Sequence, residues 1–255
     1  MTYIENCKTH RQTIIDNYEP ARLVHGMFTS DEIEQLSLLQ FQLADRLKWA
    51  PSSNNMQPVC DVNKLFNHMP VLKEKFQNEI GDFSDNHSGN FYITTQLHDA
   101  HVDLLSEREC NEKWTDNIIP YKSCVIPLMI TNWSDAQTAF FDQRHIGYSV
   151  TLDRLHKSEQ GNSDYTVARE YPECTTIDGE IADMQKEYKR ETEFLFPQIP
   201  SGNMRGLSIE QVFTYTPGDV MLFDACQIHA SCTRRSKPNY RWLKSGINIQ
   251  FYKEV

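Results

Sequence analysis

The chain has 255 residues, 39% of them hydrophobic, and a net charge of −10. That length buries a full core and fits one globular domain, and the acidic balance speaks against a phosphate backbone as partner. No apolar run nears the about 18 residues of a membrane-crossing helix, so neither nucleic acid nor membrane is an expected partner.

The first residues, "MTYIENCKTHRQTIID", are polar and carry no apolar core, so no secretory leader is expected. "MFTSDEIEQLSLLQFQLADRL" reads as a capped helix. Thr29 and Glu32 form a capping box, Asp31 favours the positive end of the dipole, and Ile33, Leu36, Leu39 and Leu43 recur at helical spacing. "PVLKEKFQNEIGDF" reads as a second helix opened by Pro70. Residues 1–89 are therefore taken as a helical support region.

From Asn90 the pattern alternates. "NFYITTQLHDAHVDLL", "YKSCVIPLMITNW", "AQTAFFDQR", "GDVMLFDA" and "SGINIQFY" are strand candidates, with Pro127 tolerated at an edge or a bulge. Short strands separated by turn residues predict a mainly β barrel or sandwich, with core strands in 90–144 and 211–255. Residues 145–210 are polar and read as an insertion or lid, with a helix across "DGEIADMQKEYKRETEFL" and loops at "SEQGNSDY" and "PQIPSGNMRG".

The seven cysteines, Cys7, Cys60, Cys110, Cys124, Cys174, Cys226 and Cys232, are odd in number and contain no C-x-x-C. They read as reduced thiols in a cytoplasmic protein.

The chemistry concentrates in "QLHDAHVDLLS". In a strand, residues i and i+2 share a face, so His101 and Asp103 converge while Val102 and Leu104 pack on the other side. By parity, His98 turns to the face opposite His101. An imidazole beside a carboxylate supplies two ligands of a facial triad for non-haem Fe(II). One H-x-D among nine histidines is weak evidence alone. The distant block "TYTPGDVMLFDACQIHASC" adds a Pro217-Gly218-Asp219 turn, an apolar strand and then His229 among small residues. His229 completes two histidines and one carboxylate.

On these pieces the chain resembles the Fe(II)/2-oxoglutarate-dependent dioxygenases, and among them the phytanoyl-CoA and prolyl hydroxylase branches. The resemblance covers about Asn90 to Tyr252 apart from the insertion, and rests on the order of His101-Val102-Asp103, "VIPLMITNW", "TPGDVMLFDACQIHAS" and "KSGINIQFY". It implies a double-stranded β-helix, or jelly roll, with N-terminal helices and a long insertion. It implies Fe(II) held by His101, Asp103 and His229, with 2-oxoglutarate and O2 consumed, a C–H bond hydroxylated, and succinate and CO2 released.

The same resemblance calls for a basic residue on the last strand to neutralise the far carboxylate of 2-oxoglutarate. Parity puts Lys244, Gly246, Asn248 and Gln250 on one face and so favours Lys244; Arg241 at the strand entrance offers a bidentate fork. Lys122 is a third basic candidate, whose plainer reading is a solvated strand edge. Tyr92, Thr94, Asn132 and Asn248 are candidates for hydrogen bonds to the cosubstrate. Asp99 reads as solvent-facing or as a partner behind the ligands. Arg144 reads as site-facing or paired with an acid. Trp133, Phe140 and Phe141 read as barrel packing, and Cys226 and Cys232 as buried thiols. The substrate, a small molecule or a peptidyl side chain, and the oligomeric state are not readable. A cosubstrate-independent cupin-type metalloenzyme and a catalytically inactive jelly-roll binding protein are the alternatives.

Overall fold

The computed structural model describes residues 2–44, 55–56, 62–94, 97–104, 117–131, 137–152, 173–188, 195–199, 201–232 and 244–255. The helices are α1 (Tyr3–Thr9), α2 (Arg11–Ile15), α3 (Ser30–Ala44), α4 (Val62–His68) and α5 (Pro70–Ile80). The strands are β1 (Arg22–Val24), β2 (Asn55–Met56), β3 (His87–Thr94), β4 (His101–Val102), β5 (Ile118–Ile130), β6 (Gln137–His145), β7 (Val150–Thr151), β8 (Cys174–Thr175), β9 (Ile209–Thr214), β10 (Val220–Asp224), β11 (Gln227–Cys232) and β12 (Lys244–Glu254).

Local chemistry starts both expected helices. Both halves of the α3 capping box form: the Thr29 N–H donates to Glu32 Oε2 at 2.7 Å and the Glu32 N–H to Thr29 Oγ1 at 3.3 Å. Pro70 opens α5, and Gly81 ends it at a φ of 75° that other residues rarely adopt.

All strand pairs are antiparallel. One sheet runs β1-β10-β5-β12-β3-β2 and the other β7-β4-β11-β6-β8, with β9 also on β6. Period-2 alternation sorts the side chains into three layers. Inside, Tyr92, Val125, Ile130, Phe140, Tyr215, Met221 and Phe223 from both sheets meet in one cluster. On the outer face of the first sheet, Phe91, Ile126, Leu222, Ile247, Ile249 and Phe251 pack against Leu36, Leu72 and Phe76 of the helices. On the outer face of the second, Val102, Phe141, Ile228 and Ala230 pack against Tyr3 and Cys7 of α1 and against Met184, Phe196, Ile199 and Met204. Each such apolar side chain contributes about 1.5–3 kcal/mol on full burial.

Pro127 lies in an interior strand, between β10 and β12, and sits at a bulge opposite Gly246. The bulge absorbs the missing donor.

Two sequence expectations change. The alternating run from Asn90 is not one strand: β3 stops at Thr94, and residues 97–100 are irregular before the short β4. The helix expected from Asp178 is absent over residues 178–188, the part of it that is described. There the chain turns at Gly179, with φ 81°, and bridges Thr175 to Ile181. A glycine in the left-handed region breaks the helical run, and Met184 is buried while Ile181 is 76% exposed.

Candidate metal centre

Strand register builds the site. His101 of β4 and His229 of β11 are direct cross-strand partners, so their imidazoles leave the same face of the second sheet. Their ring centroids are 4.4 Å apart. Asp103, two residues after His101, returns to that face just beyond the end of β4. Its Oδ1 lies 3.5 Å from His101 Nε2 and its Oδ2 3.2 Å from His229 Nε2. One ligand atom from each of the three falls within 4.8 Å of the others, the span of ligands around a single ion.

The backbone fixes which nitrogens face inward. His101 Nδ1 lies 2.6 Å from the Asp99 carbonyl, and His229 Nδ1 lies 3.1 Å from the Gln227 carbonyl. A carbonyl only accepts, so each Nδ1 carries a proton and each Nε2 is the nitrogen aimed at Asp103. Burial alone would lower His101, but the Asp103 carboxylate outweighs it and raises the group, so the protonated Nε2 donates to Asp103 and a metal ion would take that proton's place. Burial alone would raise the Asp103 carboxyl, but the two imidazoles outweigh it and hold the group well below the usual carboxylate range. Burial, with His101 adding to it, pushes His229 down and keeps that ring neutral, as a metal ligand requires. The donor set therefore suits a divalent ion with open positions on one side.

Behind His229 the wall is aromatic, with the rings of Phe223 and Phe140 at 4.8 and 5.7 Å. The opposite sheet contributes Lys244, Gly246 and Asn248 of β12. Asn248 Nδ2 donates to Asp103 Oδ2 at 2.5 Å. Lys244 is 6% exposed, and its Nζ sits 4.7 Å from the Tyr215 ring centroid and 5.5 Å from that of Tyr92. No carboxylate among the described residues pairs with it.

The fold has known counterparts. SnoK, the non-heme alpha ketoglutarate dependent carbocyclase from nogalamycin biosynthesis, superposes with a TM-score of 0.50 at 8% identity over 98% of this chain and 83% of its own. The chain has the fold of a non-haem, α-ketoglutarate-dependent enzyme. A Pseudomonas putida prolyl-4-hydroxylase matches at a TM-score of 0.47 and 9% identity over 99% of this chain and 98% of its own. HygX from Streptomyces hygroscopicus, solved with nickel, 2-oxoglutarate and hygromycin B, matches at 0.43 and 13% over 96% and 86%. No family model matches the sequence, and no curated protein does.

The remaining candidates divide by position. Tyr92 faces the interior; its Oη is buried without a hydrogen-bond partner, and burial raises its pKa well above the ordinary range. Thr94 is buried and stands cross-strand from Lys244. Asn132, Trp133 and Arg241 lie outside the described residues.

Lys122 is a correction. It is neither at the site nor on a solvated edge: it is 4% exposed and bonds Asp224 Oδ1 at 2.7 Å and the Asn17 carbonyl at 2.9 Å. Arg144 donates to the other oxygen of the same Asp224 at 3.1 Å, so the two cations share one buried acid, with Glu19 at 3.0 Å from Lys122 and Glu210 at 3.4 Å from Arg144 as further partners. His98 is not among the three clustered ligands, although the parity argument for it has no strand beneath it. Residues 97–100 are not a strand, and its ring lies 5.8 Å from that of His101. Burial, reinforced by His101 and Lys244, pushes it down to about 3. Asp99 serves through its carbonyl. Phe140 faces the interior and Phe141 the outer layer. Cys226 and Cys232 are buried.

Tyr215 was not singled out from sequence. Its signal was available: it follows β9 at two residues from Phe213, and both belong to the inner cluster.

Proposed function

We propose that the chain is a non-haem Fe(II)- and 2-oxoglutarate-dependent oxygenase that hydroxylates a C–H bond of a small molecule or peptidyl side chain. The observation that carries this reading is Lys244. An ammonium buried to 6% exposure, with no acid paired to it among the described residues, is costly unless an anion from outside completes it. It shares the barrel interior with an array of two histidines and one carboxylate.

His101, Asp103 and His229 would hold the iron, two neutral imidazoles and one carboxylate leaving a face open. When bound, iron with 2-oxoglutarate and O2 supplies the oxidising power, and succinate and CO2 leave. The chain's own groups do the rest. Lys244 neutralises the far carboxylate of the cosubstrate, and the unpartnered Tyr92 Oη is positioned to donate to the same group. The carbonyls of Asp99 and Gln227 hold the imidazole tautomers. Phe140 and Phe223 keep water from the back of His229. We assign the C5-carboxylate role to Lys244. The described cysteines are buried and form no disulfide with one another, which supports a reducing, cytoplasmic setting.

The test is anaerobic addition of Fe(II) and 2-oxoglutarate. A weak visible charge-transfer band is expected, and its loss in His101→Ala. A wild-type protein that shows no band refutes the proposal.

A further inference from the structure

We infer that Asn248 controls how Asp103 holds the metal, by occupying one carboxylate oxygen and leaving the other as the ligand. The inference deepens the oxygenase reading and rests on it for its kinetic consequence, though not for its effect on metal geometry.

Both Asp103 oxygens face imidazole Nε2 atoms, Oδ1 toward His101 at 3.5 Å and Oδ2 toward His229 at 3.2 Å. Nothing in the triad itself distinguishes one-oxygen from two-oxygen coordination. Asn248 does. Its Nδ2 donates to Oδ2 at 2.5 Å, and a carboxylate only accepts, so the orientation of the amide is settled. The other end of that amide, Oδ1, is buried and receives no hydrogen bond. The amide therefore has one described partner, and that partner is the metal-ligating acid.

The donor is rigidly mounted. Asn248 is 8% exposed and lies on an interior strand, with Asn90 on one side and Val125 on the other as cross-strand partners. It reaches Asp103 from the sheet opposite the one that carries the histidines. The hydrogen bond thus ties the two sheets together at the one ligand lying outside the regular strands.

Denticity matters because an octahedral ion has about six positions. Three protein ligand atoms leave three open, enough for a chelating 2-oxoglutarate and for O2. A second Asp103 oxygen on the ion leaves two, which the cosubstrate fills, and O2 then has no place. Asn248 is a positioning residue, acting through Asp103.

The test compares wild type with Asn248→Leu, near in size and without a donor, and with Asn248→Ala. Four readouts are taken: melting temperature, Mn(II) affinity, the Co(II) ligand-field spectrum without cosubstrate, and O2 consumption with Fe(II) and 2-oxoglutarate. The expected result is Mn(II) affinity within about three-fold of wild type, an altered Co(II) spectrum, a retained Fe(II)·2-oxoglutarate band, and O2 consumption slowed about ten-fold or more, the size of a lost charge-assisted hydrogen bond. An unchanged Co(II) spectrum in both variants overturns the inference. Loss of Mn(II) binding at an unchanged melting temperature also overturns it, since Asn248 would then hold the ligand set as a whole. Should Leu not be tolerated in the fold, the Ala variant decides. A wild type that binds metal but never 2-oxoglutarate overturns the oxygenase reading, and the Co(II) comparison still judges Asn248.

Discussion

Lys244→Met removes a charge while keeping most of the side-chain length. In the free protein the ammonium has two ring faces, 4.7 and 5.5 Å from the centroids, and no paired acid among the described residues. Two such contacts contribute about 1–2 kcal/mol together. Burying an unpaired charge costs several kcal/mol, so the free variant should melt no lower than wild type. The ligand-bound protein behaves oppositely. Removing one partner from a buried ion pair costs about 3–5 kcal/mol. At about 1.4 kcal/mol per decade, 2-oxoglutarate affinity should fall by about two to three and a half orders of magnitude. Anaerobic calorimetry with Mn(II) in place of iron reads both constants. Mn(II) affinity should stay within about three-fold, because Lys244 touches none of the three ligands. Saturating 2-oxoglutarate should raise the melting temperature of wild type and not of the variant. The reasoning is refuted by a Lys244→Met protein that binds 2-oxoglutarate as wild type does.

Three further outcomes are expected. His87 is boxed by Phe66, Phe83 and Phe251 at 5.3, 5.2 and 5.9 Å with both ring nitrogens unpartnered, and burial pushes it from 6.5 to about 4. Its folded value lies below the unfolded one, so its contribution is whole above pH 6.5 and is lost as pH falls toward 4, about 3 kcal/mol in all; His87→Phe should flatten the fall in melting temperature over that window. Asp224→Asn leaves Lys122 and Arg144 without their shared buried acid and should cost about 3–5 kcal/mol, read as a lowered denaturation midpoint with metal affinity unchanged. A Cβ at Gly246 would meet Tyr92 Oη at 2.5 Å and the Ile126 carbonyl at 2.6 Å, so Gly246→Ala should destabilise by about 1–3 kcal/mol and weaken 2-oxoglutarate binding by displacing Tyr92.

Much of the site was readable because its parts are local. His101 and Asp103 are two residues apart, and alternation alone brings them to one side. Lys244 and Asn248 share a face of β12 by the same rule. The rule's premise failed at His98, because residues 97–100 form no strand and parity there has no sheet face to refer to; its ring lies 5.8 Å from that of His101. Lys122 misled for another reason. Its place on β5 was foreseen, but the buried acid it serves lies on β10, and no spacing along the chain reveals that pairing.

The sequence by itself determined the elements whose causes lie within a few residues: the capped α3, the Pro70 start of α5, the alternating strands and the H-x-D. It also supplied the basic residue of the last strand. The tertiary structure alone decided what depends on register between distant strands. It set His229 across from His101, put Asn248 on an Asp103 oxygen from the opposite sheet, and left Lys244 buried with no acid paired to it among the described residues. Alternation says which face a side chain takes, but only the pairing of strands says what it meets there.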